Sequence, residues 1–134
     1  MSTRSVSAHW LGGYQNEVAA GSFQIRVDEP VSAGGTDTGP QPTDYLLASI
    51  ASCFAMALVY SARKQSVELP ESVAVTVTGT YDGPRFSHIA INVAAQLPDG
   101  TAKRLLTSAE RVCYVTNTLR RSPEITVELR PVQG

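Results

Sequence analysis

Residues 42–58 read Pro42-Thr43-Asp44-Tyr45-Leu46-Leu47-Ala48-Ser49-Ile50-Ala51-Ser52-Cys53-Phe54-Ala55-Met56-Ala57-Leu58, and no charge interrupts the run from Asp44 to Arg63. Most of these residues are good helix formers or small, so the stretch predicts one helix from Pro42 to about Arg63. Proline at the first helical position has the right φ and needs no amide partner, and Asp44 soon after it suits the positive end of the helix dipole. A helix with no charged face must be covered by protein on nearly every side, which makes this a buried central helix. One thiol, Cys53, sits midway along it.

The same run is long enough to cross a membrane. It is, however, rich in Ala and Ser, carries no flanking basic cluster and is not followed by a second such run, all of which favours a core helix. A chain of 134 residues fits one soluble globular domain with a core of moderate size. Its 11 basic and 12 acidic side chains are spread along the sequence, with a net charge of -1, and leave no patch for nucleic acid or an anionic membrane. Met1-Ser2-Thr3-Arg4 opens no apolar signal segment, so a cytoplasmic location is expected. Two cysteines are not a disulfide framework, and His9 and His88 lie far from both in sequence, so no metal site or cofactor is expected. Both histidines read as structural or surface residues, and Trp10 as core or interface. For the thiols the choice is between inert packing and redox chemistry.

Around the central helix the pattern is one of hairpins. Val6–Leu11 predicts a first strand that breaks at Gly12-Gly13, Tyr14–Ala19 its return, and Phe23–Val27 a third strand with Phe23, Ile25 and Val27 facing the core. Asp28-Glu29-Pro30 ends that meander, and the Gly- and Pro-rich residues 32–42 lead into the helix as a loop. After the helix, Val73–Thr78 and Ile89–Val93 predict a second hairpin, turned through Asp82-Gly83-Pro84. A second helix starts near Thr101, with Leu105, Ala109, Val112, Thr116 and Leu119 at helical spacing and Cys113 at the edge of that stripe. Lys103, Arg104, Glu110, Arg111 and Arg121 fall on or near the opposite, solvated flank. Pro123 ends the helix, and Ile125–Leu129 alternates as a closing strand.

The predicted order is β-β-β-α-β-β-α-β, an α+β fold of antiparallel sheet covered by two helices. One sheet covers one side of a helix, and a small domain has little else to bury the rest of Tyr45–Ala62. A homodimer whose core includes this helix from each chain follows as an expectation.

Asp28-Glu29-Pro30, then Gly34-Gly35, then Gly39-Pro40-Gln41-Pro42-Thr43-Asp44-Tyr45-Leu46-Leu47-Ala48-Ser49-Ile50-Ala51-Ser52-Cys53 resembles the signature that precedes the first cysteine of the OsmC/Ohr family. Ala109-Glu110-Arg111-Val112-Cys113-Tyr114-Val115-Thr116-Asn117-Thr118-Leu119 is similar to that family's segment around its second cysteine. The resemblance runs from about Phe23 to Leu129. It implies an OsmC-like fold, an intertwined homodimer with two sites at the interface, and a thiol peroxidase that reduces organic hydroperoxides. On this sequence Cys53 would attack the peroxide and become a sulfenic acid, Cys113 would resolve it as a disulfide, and a dithiol, in the family often a lipoylated protein or dihydrolipoamide, would reset the pair.

Burial alone disfavours a thiolate, so the chemistry calls for a group that stabilises one at Cys53. Family members with well-developed activity use an N-terminal Arg beside a Gly-Gly pair, held by a Glu directly after the Pro that opens the helix. Here Tyr14 follows Gly12-Gly13 and Thr43 follows Pro42, with the acid displaced to Asp44. At the standard rise Asp44 is about 13.5 Å and half a turn from Cys53, so any support it gives, as a third candidate site residue, comes across the dimer. Arg26 is the nearest substitute cation by sequence but reads as solvent-facing, and Arg63 is about 15 Å along the helix. Phe54 and Met56 are expected to contribute to an apolar substrate pocket. The alternative is a non-peroxidase of the same fold, binding small apolar ligands or sensing redox state through its thiols. A guanidinium at the Cys53 sulfur favours the peroxidase, and a cation-free apolar surround favours the alternative.

Overall fold

The structure, a computed structural model, describes residues 2–131. Three strands, β1 (Ser7–Gly12), β2 (Gln15–Ala20) and β3 (Phe23–Val27), form an antiparallel meander in that order. Trp10 pairs with Asn16, and Asn16 in turn with Val27. The register slips between Trp10 and Gly12, where Gly12 and Gly13 take φ of 109° and 55°, values that a residue with a Cβ adopts only under strain. A single 3-10 turn, Val31–Ala33, opens the loop into α1 (Pro42–Lys64). Then come β4 (Ala74–Tyr81) and β5 (Phe86–Ala94) as a two-stranded sheet, followed by α2 (Asp99–Val112) and α3 (Tyr114–Arg120). This mixture of helices and small antiparallel sheets is the α+β class expected.

The chain divides into two compact units, one of the residues up to Ser49 with Thr78–His88, the other of Ile50–Val77 with the residues from Ile89 on. In the first, the loop before α1 is drawn tightly against the chain that enters it. A Cβ on Gly35 would overlap the Glu29 carbonyl, and one on Gly39 the Arg26 carbonyl, so both positions need glycine for want of space. At the tip of the second hairpin the Phe86 ring lies over Gly79, 2.6 Å from where a Cβ would stand, and packs on Tyr81 with 4.6 Å between ring centres.

The second unit holds the core. Phe54, Ala57, Leu58 and Ala62 of α1 recur at helical spacing and pack against Leu105, Ala109 and Cys113. Val73, Val75, Ile91 and Val93 from the neighbouring chain segments close around them. Burying a side chain such as Leu105 contributes about 1.5–3 kcal/mol. The helix is long and apolar enough to cross a membrane by length and composition, but this stripe of it is spent on protein packing.

Within one chain the central helix is covered along one stripe, with Met56, Val59 and Tyr60 exposed. Three expectations need correction. The second helix is two helices: it breaks at Cys113, whose ψ of 108° is extended, so Thr116 stays buried while Val112 and Leu119 turn toward solvent. Residues 125–129 form no strand; the alternation is present, but no described strand pairs with it, and Ile125, Val127 and Leu129 are 83–97% exposed. Phe23, expected on the core face, is exposed. Trp10 is not in the core of this chain, and its indole donates to the Gly13 carbonyl at 2.9 Å, bracing the β1–β2 turn from outside.

Candidate thiol site

Cys53 comes from the middle of α1 and Cys113 from the break between α2 and α3. Cys113 is a member of the buried apolar cluster, and Cys53 packs against that cluster from α1. The two are free thiols of unequal access: Cys113 is fully buried, and Cys53 keeps part of its surface. Sixty residues separate them in sequence, and packing of α2 on α1 brings them together.

The break that presents Cys113 is itself held by side chains. The Asn117 side-chain amide donates to the Arg111 carbonyl at 3.1 Å, near the end of α2, while the Cys113 carbonyl accepts both the Asn117 backbone amide at 3.0 Å and the Thr116 hydroxyl at 3.2 Å as α3 begins. The Cys113 side chain makes no capping hydrogen bond at the start of α3. Burial pushes the Cys113 thiol up, but the Thr116 hydroxyl, the Thr116 amide, the Cys53 thiol and the Val115 amide together outweigh it and hold it below its ordinary range. Among the described residues, no cation is one of the groups acting on that sulfur.

The other candidates lie elsewhere. Asp44 is exposed in the first turn of α1, nine residues before Cys53, and is not joined to the thiol pair within this chain. Thr43 shares a 2.8 Å hydrogen bond with the Tyr81 hydroxyl, and Tyr14 is exposed with its ring beside Gly34. The Arg26 side chain is exposed, while its carbonyl accepts from the Tyr45 hydroxyl at 2.7 Å. Met56, expected at a substrate pocket, is 70% exposed. Phe54 does line a cavity, of about 310 Å3, whose wall mixes the apolar Ile89, Ile91, Val93 and Leu106 with the polar Thr116, Glu110 and Arg120. Arg120 and Glu110 pair across it at 3.6 Å, both well exposed. Sequence reasoning placed Glu110 on a solvated flank and gave Thr116 only a core role; a side chain made available by a break in a helix leaves no periodic signal.

A three-stranded meander, a two-stranded hairpin, a long apolar helix and two free thiols at one cluster define a class of cysteine-bearing α+β proteins. Residues 35–128 match the family model described as OsmC-like protein, a span that includes both cysteines, and the chain belongs to that family. Among solved structures it is similar to an organic hydroperoxide resistance protein from Vibrio cholerae O1 biovar eltor, crystallised with captopril in one of its active sites. Identity is 28%, coverage 91% of this chain and 89% of the other, and the TM-score 0.66. An organic hydroperoxide resistance protein OsmC from Legionella pneumophila is 26% identical, with 90% of each chain covered and a TM-score of 0.65. An OsmC-like protein from Mycoplasma pneumoniae, 17% identical over 90% of this chain and 89% of its own, shares the fold with a TM-score of 0.75. No curated protein matches the chain.

Proposed function

We propose that the protein is a thiol peroxidase that reduces organic hydroperoxides to alcohols. The observation that carries this reading is the pair of free thiols at one apolar cluster, one accessible and one buried. Cys53, the sulfur a substrate can reach, attacks the terminal peroxide oxygen, releases the alcohol and becomes a sulfenic acid. Cys113, at the same cluster, displaces water to form the disulfide, and an external dithiol reduces it. The cavity lined by Phe54, the residue after Cys53, suits the organic part of the substrate through Ile89, Ile91, Val93 and Leu106 in its wall. The resistance proteins from Vibrio and Legionella are named for the same class of compound.

A homodimer belongs to this reading. It is supported by the exposed apolar side chains of α1, Met56, Val59 and Tyr60, and by the unpaired apolar alternation of residues 125–129, more such surface than a monomer ordinarily leaves to water. Light scattering of the intact chain should give twice 14.3 kDa; the monomer mass at micromolar concentration would refute the dimer.

Among the described residues no cation is one of the groups acting on the Cys113 sulfur, and this favours a second reading, a redox sensor or apolar-ligand binder that keeps the cysteines without rapid turnover. Mass spectrometry of the reduced protein after brief exposure to cumene hydroperoxide or hydrogen peroxide separates the two. Rapid formation of the Cys53–Cys113 disulfide, faster with the organic peroxide, is the expected result. Thiols that stay reduced would leave the second reading.

A further inference from the structure

We propose that Arg120 makes the cavity lined by Phe54 selective for anionic ligands, so that the preferred organic hydroperoxides carry a carboxylate on their organic part. The inference rests on the peroxidase reading for the hydroperoxide group. Recognition of the charge is a property of the cavity wall and extends to ligands that cannot react.

The cavity lies wholly in the second unit, and its volume of about 310 Å3 suits a compact hydrocarbon body. Phe54, Ile89, Ile91 and Leu106 would hold any neutral body of that size alike. Arg120, the last residue of α3, ends that indifference by bringing a guanidinium to the same wall. The cation meets Glu110 of α2 through Nη1 at 3.6 Å, and the two side chains are 67% and 54% exposed. An exposed pair joined through one nitrogen is worth little, so it does not hold the guanidinium against a second acid. Arginine carries five N–H donors in a planar fork, which leaves an edge turned away from Glu110 for a carboxylate to take in bidentate fashion.

Glu110 lines the cavity too, which makes a cationic ligand the rival case. The donors decide against it. Asn92, exposed in the same wall, adds an amide with two N–H donors, while the Thr116 hydroxyl is committed to the Cys113 carbonyl. A carboxylate, which only accepts, meets donors from Arg120 and Asn92 without displacing Glu110. An ammonium would meet the guanidinium as a like charge and would have to draw Glu110 from it.

The test uses the full chain and three unreactive ligands with one shared body: para-isopropylbenzoate, its methyl ester and para-isopropylbenzylamine. Titration calorimetry at low salt should show the benzoate bound at least about fivefold more tightly than the ester, an advantage that shrinks as salt is raised. Arg120→Gln should abolish the advantage and leave the ester's affinity unchanged, whereas Glu110→Gln should enlarge it by removing the competing acid. Three results would overturn the assignment: no binding, an amine bound more tightly than the benzoate, or a benzoate advantage that survives Arg120→Gln. Equal loss of benzoate and ester in that variant would make Arg120 a packing residue and overturn it as well. Turnover of the hydroperoxide made from para-isopropylbenzoate, beside cumene hydroperoxide, separates this inference from the reading beneath it. The carboxylated peroxide should have about fivefold the kcat/KM, a margin lost in Arg120→Gln. Selective binding without turnover would sink the peroxidase reading and leave the charge selectivity standing; equal turnover of the two peroxides would do the reverse.

Discussion

Cys53→Ser is expected to lower organic hydroperoxide turnover by at least about a thousandfold while leaving the fold intact. The reasoning is chemical before it is structural. A serine hydroxyl is a poor nucleophile toward peroxide oxygen at neutral pH and can form neither a sulfenic acid nor a disulfide, so both halves of the cycle are lost. Cys113 cannot take over the attack, because it has no exposed surface. Cys53 is only partly buried, at the margin of the cluster built around Phe54, Leu58 and Leu105, so exchanging sulfur for oxygen there should cost little stability. The measurement is consumption of cumene hydroperoxide with a dithiol reductant in excess, beside a melting curve of each protein. Turnover within about tenfold of wild type, from a variant with normal Tm, would show that the reaction does not run through this sulfur.

How far the sequence carried varied with the kind of signal. Alternation and glycine pairs placed the meander, β3 at Phe23–Val27 included, because a half-buried strand writes its pattern into consecutive residues. Pro42 and the charge-free run placed α1 to within a residue at its end. The break at Cys113 was not legible: Val112-Cys113-Tyr114 contains neither Gly nor Pro, and the change of direction comes from packing Cys113 and Thr116 inward, a tertiary demand. Residues 125–129 failed in the opposite way. Their alternation specifies a strand with one apolar face but not what that face meets, and among the described residues nothing pairs with it.

The candidate site divided along the same line. Two cysteines in family-like segments could be named from sequence, and their meeting depended on α2 packing against α1 through Leu105 and Ala109. Thr116 was read as one of a core stripe. Its hydroxyl matters to Cys113 because a helix restarts there, which side-chain spacing could not foretell.

The largest effect on stability is expected at Asp28, which the sequence offered only as the end of a strand. Its carboxylate is buried and accepts four hydrogen bonds: from the Glu29 amide at 2.7 Å on one oxygen, and on the other from the Thr36 hydroxyl at 2.7 Å, the Thr38 amide at 3.0 Å and the Thr38 hydroxyl at 2.8 Å. Gln15 of β2 extends the network by donating to Thr36 at 2.9 Å, and the Asp28 amide donates to the Pro40 carbonyl at 3.2 Å. One carboxylate thus fastens both ends of the loop that opens α1, the loop that Gly35 and Gly39 already press against residues 26–29. Burial alone would raise the pKa of Asp28. The Thr38 amide, the Thr36 and Thr38 hydroxyls and the Glu29 amide overcome that and leave it far below the usual carboxylate range. A depressed folded-state value means that the ionised form stabilises the fold. Its contribution is complete above the unfolded value near about pH 4 and fades as pH falls toward the folded value. Asp28→Asn keeps the shape but puts an amide donor among donors, so its Tm should fall by several degrees at pH 7, more than for exchange of an exposed acid such as Asp44. The deficit should hold steady from pH 8 to pH 5 and narrow below about pH 4, where wild type begins to lose what the variant never had. Melting curves of the two proteins that stay parallel down to pH 3 would show that the charge of Asp28 is not what fastens this loop.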